Sequence, residues 1–229
     1  MASQVNKPDM GLVSGQTMAH LAPLSGGVFL HAATLPAFIE LRAKGLMHGI
    51  DLVVASGYRS FERQRLIWNA KARGERPVLD ESGQVLNLMA LSDRDKVFAI
   101  LRWSALPGAS RHHWGTDMDV WDRAAVPSDY VLRLVPQEYG PTGPFSILGE
   151  WLASDEVKAC GFFRPYDEDR GGIAIEPWHL SHRPIAQQFS YCLTPELLAK
   201  IIRSHIVELA DTVLAHLDEI YERFILCPD

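Results

Sequence analysis

The chain has 229 residues, of which 47% are hydrophobic and 22% are charged, and its 22 basic and 28 acidic side chains give a net charge of −6. This composition excludes an intrinsically disordered chain, and an acidic balance without a run of Lys or Arg argues against nucleic-acid binding as the main task. Three widely spaced cysteines (Cys160, Cys192 and Cys227) form neither a disulfide framework nor a CxxC motif, and no apolar run is long enough to span a membrane.

Capping residues and hydrophobic patterns predict the elements in chain order. Helices are expected where a Ser or Thr cap precedes an apolar periodicity, and strands where a short apolar run is closed by Gly or polar residues. The predicted helices run from Leu35 to Lys44, from Ser60 to about Arg73, from Ser92 to about Trp103 and from Ile147 to Lys158. The predicted strands lie at Leu52 to Ala55, near Met118 to Trp121 and just after Gly172 to Ile175. Such elements without a regular βαβ alternation indicate the α+β class.

The end of the chain has a different pattern. Thr194, Pro195 and Glu196 form a strong helix start, with a capping hydroxyl, a proline in the first turn and an acid near the positive end of the dipole. Apolar residues then recur at steps of three or four, at Leu198, Ile202, Ile206 (or His205), Leu209, Val213, Leu217, Ile220 and Phe224. The pattern predicts a helix of roughly thirty residues, about 45 Å long, which either packs along the body or also forms a dimer seam.

Two segments combine histidine with acidic residues. The first, Ser110 to Asp119, holds His112 and Asp119, and the second holds Glu176 and His179. Two imidazoles and one carboxylate suit a catalytic zinc, which takes three protein ligands and leaves a fourth position for water, while a further carboxylate moves the proton. Considered alone, a pair such as His112 and Asp119 is more often hydrogen-bonded in the core than bound to a metal.

Together with Ser56 to Ser60, these segments resemble the zinc D-alanyl-D-alanine carboxypeptidases of the VanY type, whose fold is shared with D,D-dipeptidases, lysostaphin-like endopeptidases and the hedgehog signalling domain. The family pattern Ser-x-His-x-x-Gly-x-Ala-x-Asp falls on Ser110, His112, Gly115 and Asp119. The family's Glu-x-x-His falls on Glu176 and His179. Its Ser-Gly-Tyr-Arg-Ser falls on Ser56 to Ser60, and Gln64 follows. The resemblance covers roughly residues 35 to 182. It implies a hedgehog/DD-peptidase-like fold, a small antiparallel sheet with flanking helices, to which the long C-terminal helix is added.

The resemblance implies a role for each matched residue. Zinc would be held by His112, Asp119 and His179, and Glu176 would act as general base and then as general acid. Arg59 would bind a carboxylate of the substrate, for which a planar guanidinium is suited, and its alternative is a surface ion pair.

Other positions are left with alternatives. The resemblance implies that Ser110 and Gln64 hydrogen-bond the peptide, whereas a local cap or a solvated side chain is the alternative for both. Trp178 either packs in the core or forms a wall for a substrate methyl group. His113 is an alternative ligand to His112, although the spacing of the motif favours His112.

The sequence departs from the family pattern at Leu180 to His182, where the family often has an aromatic-rich ending, and at one residue of the first motif. Asp117 stands where the family usually has alanine. Because alternate residues of a strand share a face, its carboxylate is expected on the same side as Asp119. There it would hold His113 or an arginine behind the ligands, or narrow the substrate pocket.

The sequence therefore predicts a zinc peptidase that removes terminal D-alanine from peptidoglycan peptides. It is divided into an arm at residues 1–30, a zinc peptidase domain at 31–190 and a C-terminal helical extension at 191–229. Alternatives are an L,D-carboxypeptidase, a D,D-dipeptidase, a cross-link endopeptidase, or a zinc-bearing cell-wall binding module without hydrolysis. The expected partner is a muropeptide, with no nucleic acid and no membrane span, and a homodimer through the C-terminal helix is left open. No export signal is recognisable. A cell-wall-facing location therefore requires that a signal was removed from the chain, and otherwise the expected location is cytoplasmic.

Overall fold

A four-stranded antiparallel sheet carries the residues of interest. In the computed structural model, which describes residues 8–80 and 83–226, its strand order is β3 (Leu52–Ser56), β4 (Asp117–Asp122), β6 (His179–His182) and β5 (Phe162–Phe163). A separate antiparallel ribbon pairs β1 (Leu21–Pro23) with β2 (Phe29–His31). The predicted α+β fold with a small antiparallel sheet is thus confirmed, and β3 and β4 each contain the strand predicted there.

Helices surround the sheet. They are α1 (Met10–Val13), α2 (Leu35–Met47), α3 (Phe61–Ala72), α4 (Asp93–Leu101), α5 (Pro136–Tyr139), α6 (Ser146–Trp151), α7 (Asp155–Ala159), α8 (Arg183–Ser190), α9 (Pro195–Ser204), α10 (Ala210–Ala215) and α11 (Leu217–Ile220), followed by a π-helical turn at Tyr221–Ile225. Ser60 and Ser92 cap α3 and α4 as predicted, each accepting a hydrogen bond from a backbone N–H three residues on. The single helix predicted at Ile147 to Lys158 is two helices, because Ser154 caps a new start at α7.

Buried apolar side chains form two clusters. The sheet core includes Leu52, Met118, Val120, Phe145 and Leu180, and it lies against one face of the sheet. The helical core includes Val13, Trp68, Leu101, Trp114, Ile202, Val213 and Phe224. Residues from the predicted N-terminal arm therefore pack in the same core as residues from the C-terminal helices. Cys160 and Cys192 are buried and are not joined to each other in a disulfide, whereas residues 1–7 and Cys227 lie outside the described residues.

The prediction of one long C-terminal helix is wrong. Helix α9 ends at Ser204, His205 is extended, Leu209 has a left-handed φ of 61°, and α10 starts only at Ala210. The chain turns back, so that most of the apolar residues that suggested a rod lie in the helical core: Leu198, Ile202, Val213, Leu217, Ile220 and Phe224. Ile206 is exposed. A continuous rod that could supply a dimer seam is absent from the described part of the chain, and no described helix is both long and apolar enough to cross a bilayer.

Side chains of α3 hydrogen-bond to the backbone at the break between α9 and α10. The Ile206 carbonyl accepts hydrogen bonds from Arg65 (2.9 Å) and from the Asn69 amide (3.1 Å). The Glu208 backbone N–H donates to the side-chain Oδ1 of Asn69 at 2.9 Å, and the Trp68 indole N–H donates to the Glu208 backbone carbonyl at 2.9 Å. These bonds replace the helical ones at the break, a tertiary effect that the apolar periodicity does not contain.

Candidate metal centre and substrate cleft

Strands β4 and β6 bring an aspartate and a histidine together. Asp119 and His179 are direct partners in the antiparallel register. Because side chains alternate along a strand, Asp117 shares the face of Asp119, while Met118 and Leu180 point to the other face and are fully buried in the sheet core. The Asp-Met-Asp-Val pattern of β4 thus places carboxylates on one side of the sheet and core residues on the other.

A short 3₁₀ turn at Arg111–Trp114 carries the second histidine. The turn ends at Gly115, whose φ of 68° suits glycine and where a Cβ would lie 2.7 Å from the backbone nitrogen of His31. The His112 Nδ1 lies 2.8 Å from the Gly57 carbonyl oxygen. A carbonyl only accepts, so Nδ1 carries the proton and Nε2, 3.5 Å from Asp119, presents a lone pair.

His112, Asp119 and His179 form a site that fits a divalent metal ion. Their candidate ligand atoms all lie within 4.8 Å of one another, and all three side chains are buried. The Asp119 Oδ1 is buried without a hydrogen-bond partner and lies 3.4 Å from the His179 Nδ1. A buried carboxylate oxygen without a donor is costly unless a cation satisfies it, and two imidazoles with one carboxylate are a donor set that zinc prefers.

The electrostatics favour a cation at the same place. Burial would raise the pKa of Asp119, but the imidazoles of His112 and His179 outweigh it and hold that pKa well below its usual range. Burial would lower the pKa of His179, yet Asp117, Asp119 and Glu176 raise it well above its ordinary value. Carboxylates that attract a proton to this position attract a metal ion there as well.

His113 has no free nitrogen for a metal. Its Nδ1 donates to the Arg59 carbonyl at 2.6 Å, and its Nε2 accepts a hydrogen bond from the Gly108 N–H at 3.1 Å. Complete burial lowers the pKa of His113 to about 3, so the ring stays neutral. The geometry therefore favours His112 over His113 as the ligand.

A cleft of about 240 Å³ opens over the metal centre. Its walls include the sequence-predicted residues Arg59, Ser110, Glu176 and Trp178 together with the three candidate ligands. The Glu176 Oε2 lies 3.3 Å from the His179 Nδ1, next to the candidate metal position. Trp178 is 5% exposed and packs against Tyr139 with ring centroids 5.8 Å apart, so it both belongs to the core and borders the cleft.

Arg59 and Gln64 have different places. The Arg59 guanidinium borders the cleft, where burial lowers its pKa and the carboxylates of Asp119 and Glu176 oppose that shift. Gln64 is fully buried and does not border the cleft: its Oε1 accepts a hydrogen bond from Arg59 at 3.1 Å, and its Nε2 donates to the Ala105 carbonyl at 2.7 Å. This geometry favours Gln64 as a support for Arg59 over direct contact with a peptide.

Some residues in the cleft wall or directly behind it have no signal in the sequence. The Tyr166 ring lies edge-on to His179 with centroids 4.8 Å apart, and the Tyr166 carbonyl accepts a hydrogen bond from the Glu176 N–H at 3.0 Å. Lys71 donates to the Ser104 hydroxyl in the cleft wall at 2.6 Å, and burial lowers the pKa of Lys71 to about 8. Tyr166 lies in an irregular loop and Lys71 among other basic residues, so neither stands out by periodicity or spacing.

Comparison with known proteins supports the same interpretation. A family model described as VanY, D-alanyl-D-alanine carboxypeptidase, matches residues 27–185. An uncharacterised protein of Haemophilus influenzae is 33% identical over 123 residues, which are 53% of this chain and 93% of that protein. A variant of the vancomycin resistance D,D-pentapeptidase VanY from a VanB-type cassette, solved in complex with Zn(II), is 25% identical with a TM-score of 0.52, covering 80% of this chain and 90% of that chain.

The structure of VanYB in complex with D-alanine-D-alanine has the same fold, at 22% identity and a TM-score of 0.53, covering 83% of this chain and 92% of that chain. The family model spans well over half of the chain and contains all the residues of the candidate metal centre. The chain therefore belongs to the VanY family of D-alanyl-D-alanine carboxypeptidases.

Proposed function

We propose that this chain is a zinc-dependent D-alanyl-D-alanine carboxypeptidase that releases the terminal D-alanine of peptidoglycan peptides. The observation that carries the proposal is one cleft in which a carboxylate, Glu176, adjoins a buried His–Asp–His cluster and a guanidinium, Arg59, forms part of the wall. The family match and the D-alanine-D-alanine held by a protein of the same fold support this substrate class.

His112, Asp119 and His179 would hold the zinc. When bound at such a site, zinc supplies Lewis-acid chemistry that polarises a carbonyl and makes water a nucleophile at neutral pH. The Asp119 carboxylate offsets part of the positive charge, and the Gly57 carbonyl fixes the His112 ring with Nε2 turned inward.

Glu176 would move the proton. Its carboxylate is partly exposed to the cleft and lies beside the ligand nitrogen of His179, which places it within reach of a water molecule in the open position. From there it can accept the proton of the attacking water and return it to the leaving amine. Its backbone N–H bond to the Tyr166 carbonyl fixes the loop that carries it.

Arg59 would recognise the free carboxylate at the end of the peptide. Two bonds orient the guanidinium: Nη1 donates to Gln64 at 3.1 Å and Nη2 donates to the Ser56 hydroxyl at 3.2 Å. A fixed, charged fork suits a planar carboxylate better than a flexible ammonium group does. A free terminal carboxylate is what distinguishes a carboxypeptidase substrate from an internal peptide bond. Ser110, 1% exposed in the cleft wall, would hydrogen-bond the peptide.

The test is the product pattern of the zinc-loaded full chain on four substrates: a pentapeptide muropeptide ending in D-Ala-D-Ala, the corresponding tetrapeptide, free D-Ala-D-Ala and a cross-linked dimer. Mass spectrometry is expected to show loss of one D-alanine from the pentapeptide. The same peptide with a C-terminal amide should be cut much more slowly. Turnover confined to the tetrapeptide, the dipeptide or the cross-link would instead identify an L,D-carboxypeptidase, a D,D-dipeptidase or an endopeptidase.

A binding module without hydrolysis is the contrasting outcome. Zinc bound at one equivalent with no product from any of the four substrates would support it and contradict the peptidase. Sedimentation of the chain at high concentration separately tests the homodimer, for which the broken C-terminal helix leaves no continuous seam.

A further inference from the structure

We propose that Asp117 is a positioning residue for the metal centre: with Arg111 it holds the His179 ring so that Nδ1 faces the metal ion. The proposal rests on the function proposed above, because it assigns a role to this chain's own residues around the same site. The residue involved is the one noted above as a departure from the family pattern, Asp117.

The Asp117 Oδ1 lies 3.0 Å from the His179 Nε2. An ionised carboxylate can only accept hydrogen bonds, so Nε2 must carry the proton. In a neutral imidazole the other nitrogen then presents its lone pair. That nitrogen, Nδ1, points to Asp119 at 3.4 Å and to Glu176 at 3.3 Å. One hydrogen bond thus selects both the tautomer and the orientation of the ring that a metal ligand requires.

Asp117 is itself fully occupied by donors. Its Oδ1 also accepts from the Arg111 Nε at 2.7 Å, and its Oδ2 accepts from the hydroxyls of Thr116 at 2.6 Å and Ser181 at 3.0 Å. With His179 these donors fill the four places that a carboxylate offers. Asp117 therefore supports a ligand from behind and is not a fourth ligand.

Arg111 balances the negative charge of the buried Asp117 carboxylate. Asp117 is 0% exposed and Arg111 is 7% exposed. The guanidinium also donates to the Ser181 hydroxyl at 2.7 Å and stacks over Trp114, 4.8 Å from the ring centroid. The guanidinium charge and the two hydroxyl donors face the carboxylate directly and offset the cost of its burial.

The experiment measures zinc affinity in the full chain by competition with a chromogenic chelator. Asp117→Asn keeps the shape but removes the charge, and Asp117→Ala removes the acceptor as well. The zinc dissociation constant is expected to rise about tenfold in Asp117→Asn and up to about 100-fold in Asp117→Ala, the range seen for residues that support metal ligands. In the cobalt(II)-loaded protein, the visible absorption band should shift in both variants, more in Asp117→Ala, where the His179 ring has lost its acceptor, than in Asp117→Asn, where only the charge behind the ring is lost.

Asp122→Asn is the matched control. Asp122 is also on β4, is 5% exposed, and accepts backbone hydrogen bonds from Asp51 and Ala124 at 2.9 Å each, away from the metal centre. This variant loses the same charge from the same strand, yet its zinc affinity and cobalt spectrum should match the wild type. Wild-type affinity and an unshifted spectrum in a folded Asp117→Asn chain would overturn the proposal, including where Asp117→Ala does not fold.

The two proposals fail separately. If the wild-type chain binds zinc but cleaves no D-alanine peptide, the proposed reaction is contradicted while the effect of Asp117 on zinc binding still stands. If the wild type cleaves the peptide and the Asp117 variants bind zinc normally, only the positioning role is contradicted.

Discussion

The Gln64 Oε1 accepts a hydrogen bond of 3.1 Å from the Arg59 guanidinium, although Gln64 itself has no exposed surface. The other end of the same amide donates to the Ala105 carbonyl, so the side chain is fixed at both ends. Gln64, a residue of α3 that does not itself border the cleft, therefore orients the Arg59 guanidinium in the cleft wall. This relationship gives the first prediction.

Replacing Gln64 by leucine should weaken substrate binding without slowing the chemical step. The side chain keeps a similar volume, but Arg59 loses an orienting bond. A hydrogen bond to a charged group is worth about 1.5–3 kcal/mol, so KM should rise at least tenfold at nearly constant kcat.

The selectivity between the free-acid peptide and its C-terminal amide should fall in the same variant, because Arg59 is the residue proposed to recognise the free carboxylate. Leu66→Gln, an exposed change on the same helix, is the control and should leave KM unchanged. A Gln64→Leu enzyme with normal KM and normal selectivity would rule out this support.

Glu176→Gln should slow hydrolysis strongly and keep the metal. The three proposed ligands are untouched, but an amide cannot take up the proton, and general acid–base catalysis typically contributes 10²–10⁴-fold. We expect kcat to fall within about that range while zinc stoichiometry, measured by atomic absorption, stays at one. Glu168→Gln, on the same loop and exposed, should behave as the wild type. Wild-type release of D-alanine by Glu176→Gln would contradict the assigned mechanism.

His31 should make the fold sensitive to acid. Burial and the neighbouring imidazoles of His20 and His182 lower the pKa of His31 from 6.5 to about 4, and its Nδ1 accepts a hydrogen bond from the Ala33 N–H. The unfolded chain binds this proton near pH 6.5, so between pH 6.5 and 4 the unfolded state holds more protons and the free energy of unfolding falls as the pH is lowered.

His31→Gln should remove part of that slope. Because the ring is only half-buried, the difference between the two proteins should be about 1–2 kcal/mol across this window. Urea unfolding of the metal-free wild type and variant at pH 7, 6, 5 and 4 measures it. Parallel pH profiles for the two proteins would show that His31 does not contribute.

Gly172 should be intolerant of any side chain. A Cβ at this position would collide with the Arg223 carbonyl oxygen, and the loop is further held by Arg102, which donates to the Gly172 carbonyl at 2.6 Å. Gly172→Ala should lower stability by about 1–3 kcal/mol, as overpacking does, and reduce kcat because the same loop carries Glu176. Zinc affinity should stay normal.

Gly140→Ala is the control for Gly172, since Gly140 has a negative φ and the nearest atoms to its Cβ would lie 3.8 Å away. Thermal melting and steady-state kinetics of both variants make the comparison. Equal stability and activity in the two variants would contradict the role given to this contact.

Local features of the sequence predicted much of the structure because their causes are local. The hydroxyls of Ser60 and Ser92 cap the starts of their helices. The alternation of side chains along β4 places Asp119 and the core residue Met118 on opposite faces. The residues His112, Asp119 and His179 converge as the family resemblance implied.

What the sequence could not provide depends on partners far along the chain. The end of α9 is decided by Asn69, more than a hundred positions earlier, and nothing in the local apolar pattern contains that contact. Two partners of Asp117 are likewise decided by the register between β4 and β6, which brings it opposite Ser181 and within hydrogen-bond distance of His179. Neither motif spacing nor propensity fixes such a register.

The two hydrophobic cores support different residues of the cleft. Asp119 and His179 stand on strands that close the sheet core, whereas Arg59 depends on α3, whose Trp68 and Ala72 belong to the helical core. Proteins open regionally before they unfold globally, and the helical core gathers residues as distant as Val13 and Phe224. Loosening that core alone would release Arg59 and also His112, whose turn contains Trp114 of the helical core, while Asp119 and His179 stay paired in the sheet. Inactivation on warming would therefore begin with weaker binding of both the substrate and the metal ion, before the sheet itself opens.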